Sequence, residues 1–410
     1  MLFLALTLVL IGVYPFFISG QLENSLVRWM ILVLAGSTLV DYFFLGKYRV
    51  LLTANQEGYV VALIQAAGTI VNMVVSIFLI YIGAGVLFVK AVATGVYMLR
   101  LVLVKIYVKR KYPALDFYAE PNEGALKQKN AALLHQVVGI IVNNTDTTVL
   151  TICLGAKSLL EVSVYGIYMM VVNAVNQLMT SFSNGLTAGF GEVIAKNEEE
   201  TLKKSYSSYE YMYFVIMFIV IACMGVLILP FVGVYTINLT DVQYVRPVLG
   251  ILFTVIVFMQ NVRIPGLTII CAAGHYKETR YQAILEAVIN ITVSLGLVWK
   301  FGMAGVLLGT VCSYGYRSFE IVFYTSRHLV KGCAKKSMFR ILRNVFTVAI
   351  LCTVGTYVIP QEITSFTTWF LYAIGMGLTS VFFVVVINYV VEPDEFMQLR
   401  HRVNDIIKKE

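Results

Sequence analysis

Charge is scarce in this chain. Only 13% of its 410 residues are Asp, Glu, Lys or Arg, about half the share expected of a soluble domain of that length. That shortage excludes an ordinary water-facing globule, and the mean hydropathy of +0.80 places most of the chain against lipid. Histidine occurs only four times, at 135, 275, 328 and 401. No Gly-rich phosphate loop, zinc-binding His pair or serine elbow appears, so neither an ordinary enzyme mechanism nor a resident cofactor is expected. The six cysteines stand singly at 153, 223, 271, 312, 333 and 352, a pattern with neither metal-ligand spacing nor a disulfide framework.

What the chain does have is long apolar runs, which make up most of its 59% hydrophobic content. Runs near twenty residues mark spanning helices, and twelve are expected: 2–20, 29–46, 59–81, 85–107, 131–154, 163–188, 210–233, 245–270, 281–300, 303–325, 343–360 and 366–390. The first lacks a charged n-region and a small-residue cleavage site, so it reads as a retained helix. The predicted fold class is all-α, a polytopic membrane protein.

The net charge of +8 would suggest nucleic acid in a soluble protein, but its distribution points to a membrane. Alternate loops and the tail hold 23 of the 31 Lys and Arg residues, including Lys109, Arg110 and Lys111, Lys196, and Lys335 and Lys336. The opposite loops and their margins hold only Arg28, Lys157, Arg246 and Lys300. Cytoplasmic loops retain the excess of positive charge, so both termini are expected in the cytoplasm of a multi-pass plasma-membrane protein.

A breaker-rich polar stretch at 108–130, with Pro113, Pro121 and Gly124, reads as a cytoplasmic linker. It divides a four-helix block, 1–107, from a six-helix bundle at 131–325. Two further helices follow at 326–390, then a polar tail at 391–410. A faint repeat joins the blocks: Asn72-Met-Val-Val-Ser76 aligns with Asn290-Ile-Thr-Val-Ser294 at an offset of 218. Each copy runs through a short Gly-containing turn, at 82–86 and 302–306, into another apolar run. Internal duplication of this kind marks transporters built from two pseudo-symmetric bundles. Subtracting the offset from residue 131 puts the partner of that helix about 87 residues ahead of Met1. The chain therefore reads as helices three to fourteen of a fourteen-helix plan.

Several local patterns, in this order, resemble the polysaccharide-exporter branch of the multidrug/oligosaccharidyl-lipid/polysaccharide flippase superfamily, which includes Wzx-type O-antigen and teichoic-acid exporters. They are Asp146-Thr-Thr-Val-Leu150 leading to Val164-Tyr-Gly-Ile-Tyr168; Ala188-Gly-Phe-Gly-Glu-Val-Ile-Ala195; and Arg263-Ile-Pro265 with Ala272-Ala-Gly-His-Tyr-Lys277. Glu286 and Asn290 follow, then Gly305-Val-Leu-Leu-Gly-Thr310. The likeness covers nearly the whole chain in helix order and loop lengths. It implies a bacterial flippase with a MATE-like two-bundle fold that exports undecaprenyl-diphosphate-linked oligosaccharides by alternating access. The resemblance also implies membrane lipids as surroundings, a monomer, and a pathway's polymerase and glycosyltransferases as neighbours. A drug/cation antiporter of the same superfamily, an intramembrane glycosyl- or acyltransferase, and an inactive truncated fragment are the alternatives.

Polar groups at bilayer depth carry the candidate chemistry, because each costs roughly 2.5–3.5 kcal/mol on insertion scales if it is ionisable. His135, Gly139, Val142 and Asp146 share one helix face, with Asn143 beside it. The next helix offers Asn173, Asn176 and Gln177. These stripes could line a hydrated path for sugar hydroxyls or glue helices together. Arg263, Arg317 and Arg100 are candidate partners for a diphosphate, through a bidentate fork. Alternatively, Arg317 pairs with Glu320 at i,i+3. Glu286 and Glu320 are the candidate ion-coupling carboxylates, although Glu286 could instead pair with one of the arginines.

Overall fold

A computed structural model describes residues 7–9, 11–12, 23–55, 57–113, 129–155, 158–183, 186–360 and 362–397. The expected first span at 2–20 falls mostly outside them, as do Lys157, Gly185 and His401. The chain divides into two compact units, Met1–Pro121 and Asn122–Glu410.

Within the first unit, α1 (Asn24–Val40) passes through a π-helical turn, Asp41–Leu45, into α2 (Gly46–Ala54). The unit continues with α3 (Gly58–Tyr81) and α4 (Val86–Lys111). Its small core gathers Tyr48, Leu52, Val60, Val61, Val104 and Val108. Most of α3 instead turns Ile70, Met73, Val74, Ile77 and Phe78 outward. Outward-facing apolar side chains on a helix long enough to span are what lipid requires. At the α2–α3 corner, Lys111 Nζ lies 2.8 Å from Glu57 Oε1, and Tyr112 donates to the same carboxylate at 2.8 Å. Those two contacts hold the Glu57 carboxyl below its usual range.

The second unit comprises α5 (Lys129–Cys153), α6 (Ser158–Ser183), α7 (Leu186–Ala195), α8 (Glu199–Tyr235), α9 (Pro247–Val262) and α10 (Ile264–Ala272). These are followed by α11 (Arg280–Phe301), α12 (Met303–His328), α13 (Ala334–Val358) and α14 (Phe366–Val391). Among the described residues, eight helices are long and apolar enough to cross a membrane. Neither α5 nor α12 is among them, although both exceed the length needed. Their deficit is apolarity, because they carry Asn143, Asp146, Arg317 and Glu320.

The spine of this unit is α8, whose 37 residues extend about 55 Å at 1.5 Å per residue. Beyond its charged first turns it is apolar around its circumference, and a larger share of it is buried than of the other candidate spans: Tyr211, Tyr213, Phe214, Met217 and Phe218 are sealed in the core. Helices α9, α13 and α14 pack against it, while α11 packs on α12 and α5. The polar stretch Lys196–Lys204, whose charges read as a solvated cytoplasmic turn, belongs to α8 from Glu199 onward; the turn itself is confined to the residues just before, with Asn197 at φ 56°.

Small residues set the closest approach. A Cβ on Gly305 would lie 2.3 Å from the Leu297 carbonyl oxygen, and one on Gly309 2.1 Å from Ser294 Oγ. This small-xxx-small face is thus a packing surface between α11 and α12. The turns that follow the two repeat copies share a feature, since Gly83 and Gly302 both have positive φ, 79° and 56°. The asparagines of the repeat differ: Asn290 is fully buried, whereas Asn72 is half-buried and accepts from Ser76 at 3.4 Å.

One ionic cluster ties α13 and α14 to α8. Arg340 is fully buried; its Nη1 reaches Glu210 Oε2 at 3.0 Å and its Nε reaches Glu392 Oε1 at 3.0 Å. Arg343 meets Glu392 at 2.9 Å, and Lys336 meets Glu395 at 2.6 Å. Three cations face three carboxylates, so the cluster is neutral. Burial works against the charge on Glu395, yet Lys336, Ser207 and Arg340 together hold its carboxyl below the usual range.

Arg340→Met should lower stability by about 3–5 kcal/mol, because it strands Glu210 without its counter-ion in the core. Thermal denaturation of the purified protein reads this as a lower Tm. Acid should weaken the same tie. A carboxyl depressed in the folded state contributes fully above its unfolded pKa of about 4.3 and loses that contribution as pH falls through the folded value. Denaturation midpoints measured between neutral pH and pH 3 should therefore fall less in Glu395→Gln than in the parent.

Candidate functional site

Two adjoining cavities open in the second unit, of about 440 and 540 Å³. Val142, Asn143 and Tyr314 line both, and Tyr314 donates to Asn143 Oδ1 at 3.1 Å on their shared wall. The 4-3-4 spacing on α5 divides between them. His135, Gly139 and Val142 line the smaller cavity, and Asp146, one turn beyond Val142, lines the larger.

The smaller cavity is ionic. Glu286 of α11 bonds Arg263 through Oε1, and its Oε2 stands 3.6 Å from Arg317 Nε. Arg317 of α12 also pairs with Glu320, as the i,i+3 spacing allows. Both expected pairings therefore occur, joined into one alternating chain: Arg263, Glu286, Arg317, Glu320. Glu286 and Arg317 are almost wholly buried, 7% and 3% exposed, so each depends on its counter-ions. Glu320 lies behind Arg317 and does not line the cavity.

Arg263 owes its place to a break. The expected span at 245–270 is present as one membrane-length segment, Pro247–Ala272, but it is broken into two helices at Arg263, because Pro265 has no N–H to donate to the carbonyl one turn back. Arg263 is the joint between α9 and α10, with its guanidinium 4.5 Å from the Tyr314 ring centroid. Ser318 Oγ donates to the Met259 carbonyl at 2.6 Å, satisfying backbone near the break. Nε of Arg263 is buried without a hydrogen-bond partner among the described residues.

The larger cavity is rich in amides and hydroxyls. Asp146, 4% exposed, accepts from Thr310 at 2.7 Å and Tyr165 at 3.4 Å. Asn290 donates to Thr310 at 3.0 Å and to Ser313 at 3.3 Å, extending the network across α5, α11 and α12. Asn173 and Asn176 also line this cavity. Asn176 donates to Gln260 at 2.9 Å and accepts from Asn261 at 3.0 Å, and Asn261 accepts from Tyr213 at 2.9 Å. Asn176 is therefore both cavity wall and interhelical bond.

Gln177, one residue and about 100° further round α6, is exposed and lines neither cavity. Arg100 belongs to the first unit. It is buried there, donates to Thr69 at 3.0 Å and lies over the Tyr97 ring at 4.5 Å, with Gly68 leaving room for its stem. Lys90, ten residues earlier on the same helix, is exposed. Sequence reasoning omitted Thr310, Tyr314, Tyr165 and Gln260 from the site. The first two could have been found: Thr310, Tyr314 and Arg317 follow 4-3 spacing, which sets all three on one face of α12.

Fold and cavities together describe a polytopic all-α membrane protein with polar groups held inside a helix bundle. A solved structure of the same fold is the lipid II flippase MurJ in its inward closed conformation, with a TM-score of 0.62 over 95% of this chain and 81% of that one, at 14% identity. No protein-family model matches the chain, and no curated protein sequence matches it.

Thr310→Val should cost about 1–3 kcal/mol by withdrawing the closest donor from a buried carboxylate. Thr310→Ser should restore most of it. Thermal melts of the two variants beside the parent check both.

Proposed function

We propose that this protein is a flippase that carries lipid-linked oligosaccharides, borne on undecaprenyl diphosphate, from the inner to the outer leaflet of a bacterial plasma membrane. The observation that carries the reading is the arginine pair at 263 and 317, held beside a 440 Å³ cavity within the helix bundle. A buried guanidinium held by two carboxylates, beside a second that stacks on tyrosine, is suited to phosphate oxygens. The adjoining cavity, with Asn143, Asn173 and Asn176, offers donors and acceptors to sugar hydroxyls. Likeness in fold to a lipid II flippase supports a lipid-linked substrate. The polysaccharide-export branch rests on the sequence patterns at 146–168, 188–195 and 263–310.

In the mechanism, the sugar-diphosphate head rests in the two cavities while the isoprenoid tail stays in lipid. The protein opens to each side of the membrane in turn, and no covalent step is involved. Arg263 and Arg317 bind the diphosphate, and the amide-lined cavity orients the sugar. Glu286 and Glu320 hold the arginines and are the groups through which an ion gradient would act. Arg100 adds a basic position in the first unit. Both termini lie in the cytoplasm, the chain acts as a monomer, and polymerase and glycosyltransferases are its neighbours in the pathway.

A second reading, drug/cation antiport, rests on Asp146, a buried carboxylate whose described hydrogen-bond partners are hydroxyls. The two diverge under mutation. In proteoliposomes loaded with a fluorescent undecaprenyl-diphosphate oligosaccharide, Arg317→Gln should slow leaflet exchange about tenfold or more, the factor set by ~1.4 kcal/mol of head-group binding. Drug efflux abolished by Asp146→Asn, alongside lipid exchange at the protein-free rate, would establish antiport and overturn the flippase.

A further inference from the structure

The arginine pair is already occupied. The Glu286 carboxylate gives one oxygen to Arg263 and faces Arg317 with the other, so it stands where an anionic ligand would meet both guanidiniums. Its neighbours differ in how firmly they are held. Glu320 retains Arg317 from behind the cavity wall, so Arg317 keeps a partner whatever Glu286 does. Arg263 has a buried Nε with no partner, a donor to spare on the same guanidinium. The wall therefore contains two guanidiniums against one carboxylate, with the half-buried His135 nearby.

We propose that Glu286 is a resident anion in a two-arginine clamp, an autoinhibitory contact that the anionic head of the ligand displaces. The inference rests on the reading above, that a diphosphate head enters this cavity. A sugar-diphosphate diester is doubly charged and presents several oxygens to two bidentate forks, whereas a single carboxylate must divide its two oxygens between them. Exchange thus replaces a shared, stretched pairing with one better matched in charge and number of acceptors. The Glu286 side chain can swing aside by rotation about its own bonds, with α11 staying in place. Until a ligand displaces it, the same carboxylate compensates Arg263, which would otherwise carry the cost of unpaired charge.

The test is calorimetric binding to the purified full chain in nanodiscs, using a short-chain isoprenyl-diphosphate N-acetylglucosamine as the probe. Glu286→Gln should bind it about tenfold more tightly than the parent. Glu286→Asp, which keeps the charge but shortens the reach, should gain roughly threefold and carries the test if the glutamine variant does not fold. In Glu286→Ala, added acetate should compete with the probe, whereas in the parent it should not, because the carboxylate position is filled. Equal or weaker binding in the Gln and Asp variants, with no acetate competition, overturns the resident-anion role; the site reading then stands if Arg317→Gln loses the probe. If Arg263→Gln and Arg317→Gln both bind as the parent does, the site reading itself fails, and the inference with it.

Discussion

A charge moved from water into a membrane interior must bring its counter-charge along, and one carboxylate in this protein compensates two guanidiniums. Glu286 reaches Arg263 at the joint of a broken helix and Arg317 on the neighbouring helix. Three separate stretches of chain thereby meet at one point, and the smaller cavity takes its shape around that meeting. Without the carboxylate, two guanidiniums would stand inside the helix bundle with only Glu320 to oppose them. The break at Pro265, the stacking of Arg263 on Tyr314 and the bond from Ser318 to Met259 all serve to hold the cations where that carboxylate can reach them.

The Arg340 cluster obeys the same constraint with a different outcome. There, three cations and three carboxylates interlock with Ser207, Asn344 and Asn388. The arrangement fastens two helices to the α8 spine. In the Glu286 chain the charges face open space and one guanidinium donor is spare. Arg343 in the other cluster also has a buried Nε without a partner among the described residues, so neither buried ion pairs nor a spare donor marks a site; the adjoining space does.

Much of the architecture was legible in residue pattern. Apolar runs located the helices from 59–81 onward to within a few residues at most ends, because exclusion of backbone polar groups from lipid leaves a helix little alternative. The exceptions have local causes. The run at 245–270 hides a break that only Pro265 signals, α8 and α13 begin ahead of their apolar portions, in the charged segments at Glu199 and Ala334, and α6 lies five residues ahead of the run at 163–188. Asp146, Asn143, Asn173 and Asn176 were found because polar residues stand out on apolar helices. Thr310 and Tyr314 passed unnoticed because hydroxyls are common packing groups. Gln177 was drawn in by its neighbour, although the helix turns it away from both cavities.

Sequence by itself determined the solvent of this protein, its helical class and the short list of polar groups that had to be accommodated in lipid. Those follow from composition and periodicity, which depend on residues close along the chain. It left open whether Arg317 pairs with Glu320 or binds a ligand, and whether Glu286 pairs with an arginine. Tertiary structure decided that Arg317 meets Glu320 and Glu286 together, and that Glu286 also meets Arg263, 23 residues earlier. Pairing energies fall off over a few ångströms; Arg317 and Glu320 are neighbours on one helix, but only the packing of α11 against α12 and the α9–α10 joint brings Glu286 within reach of both arginines.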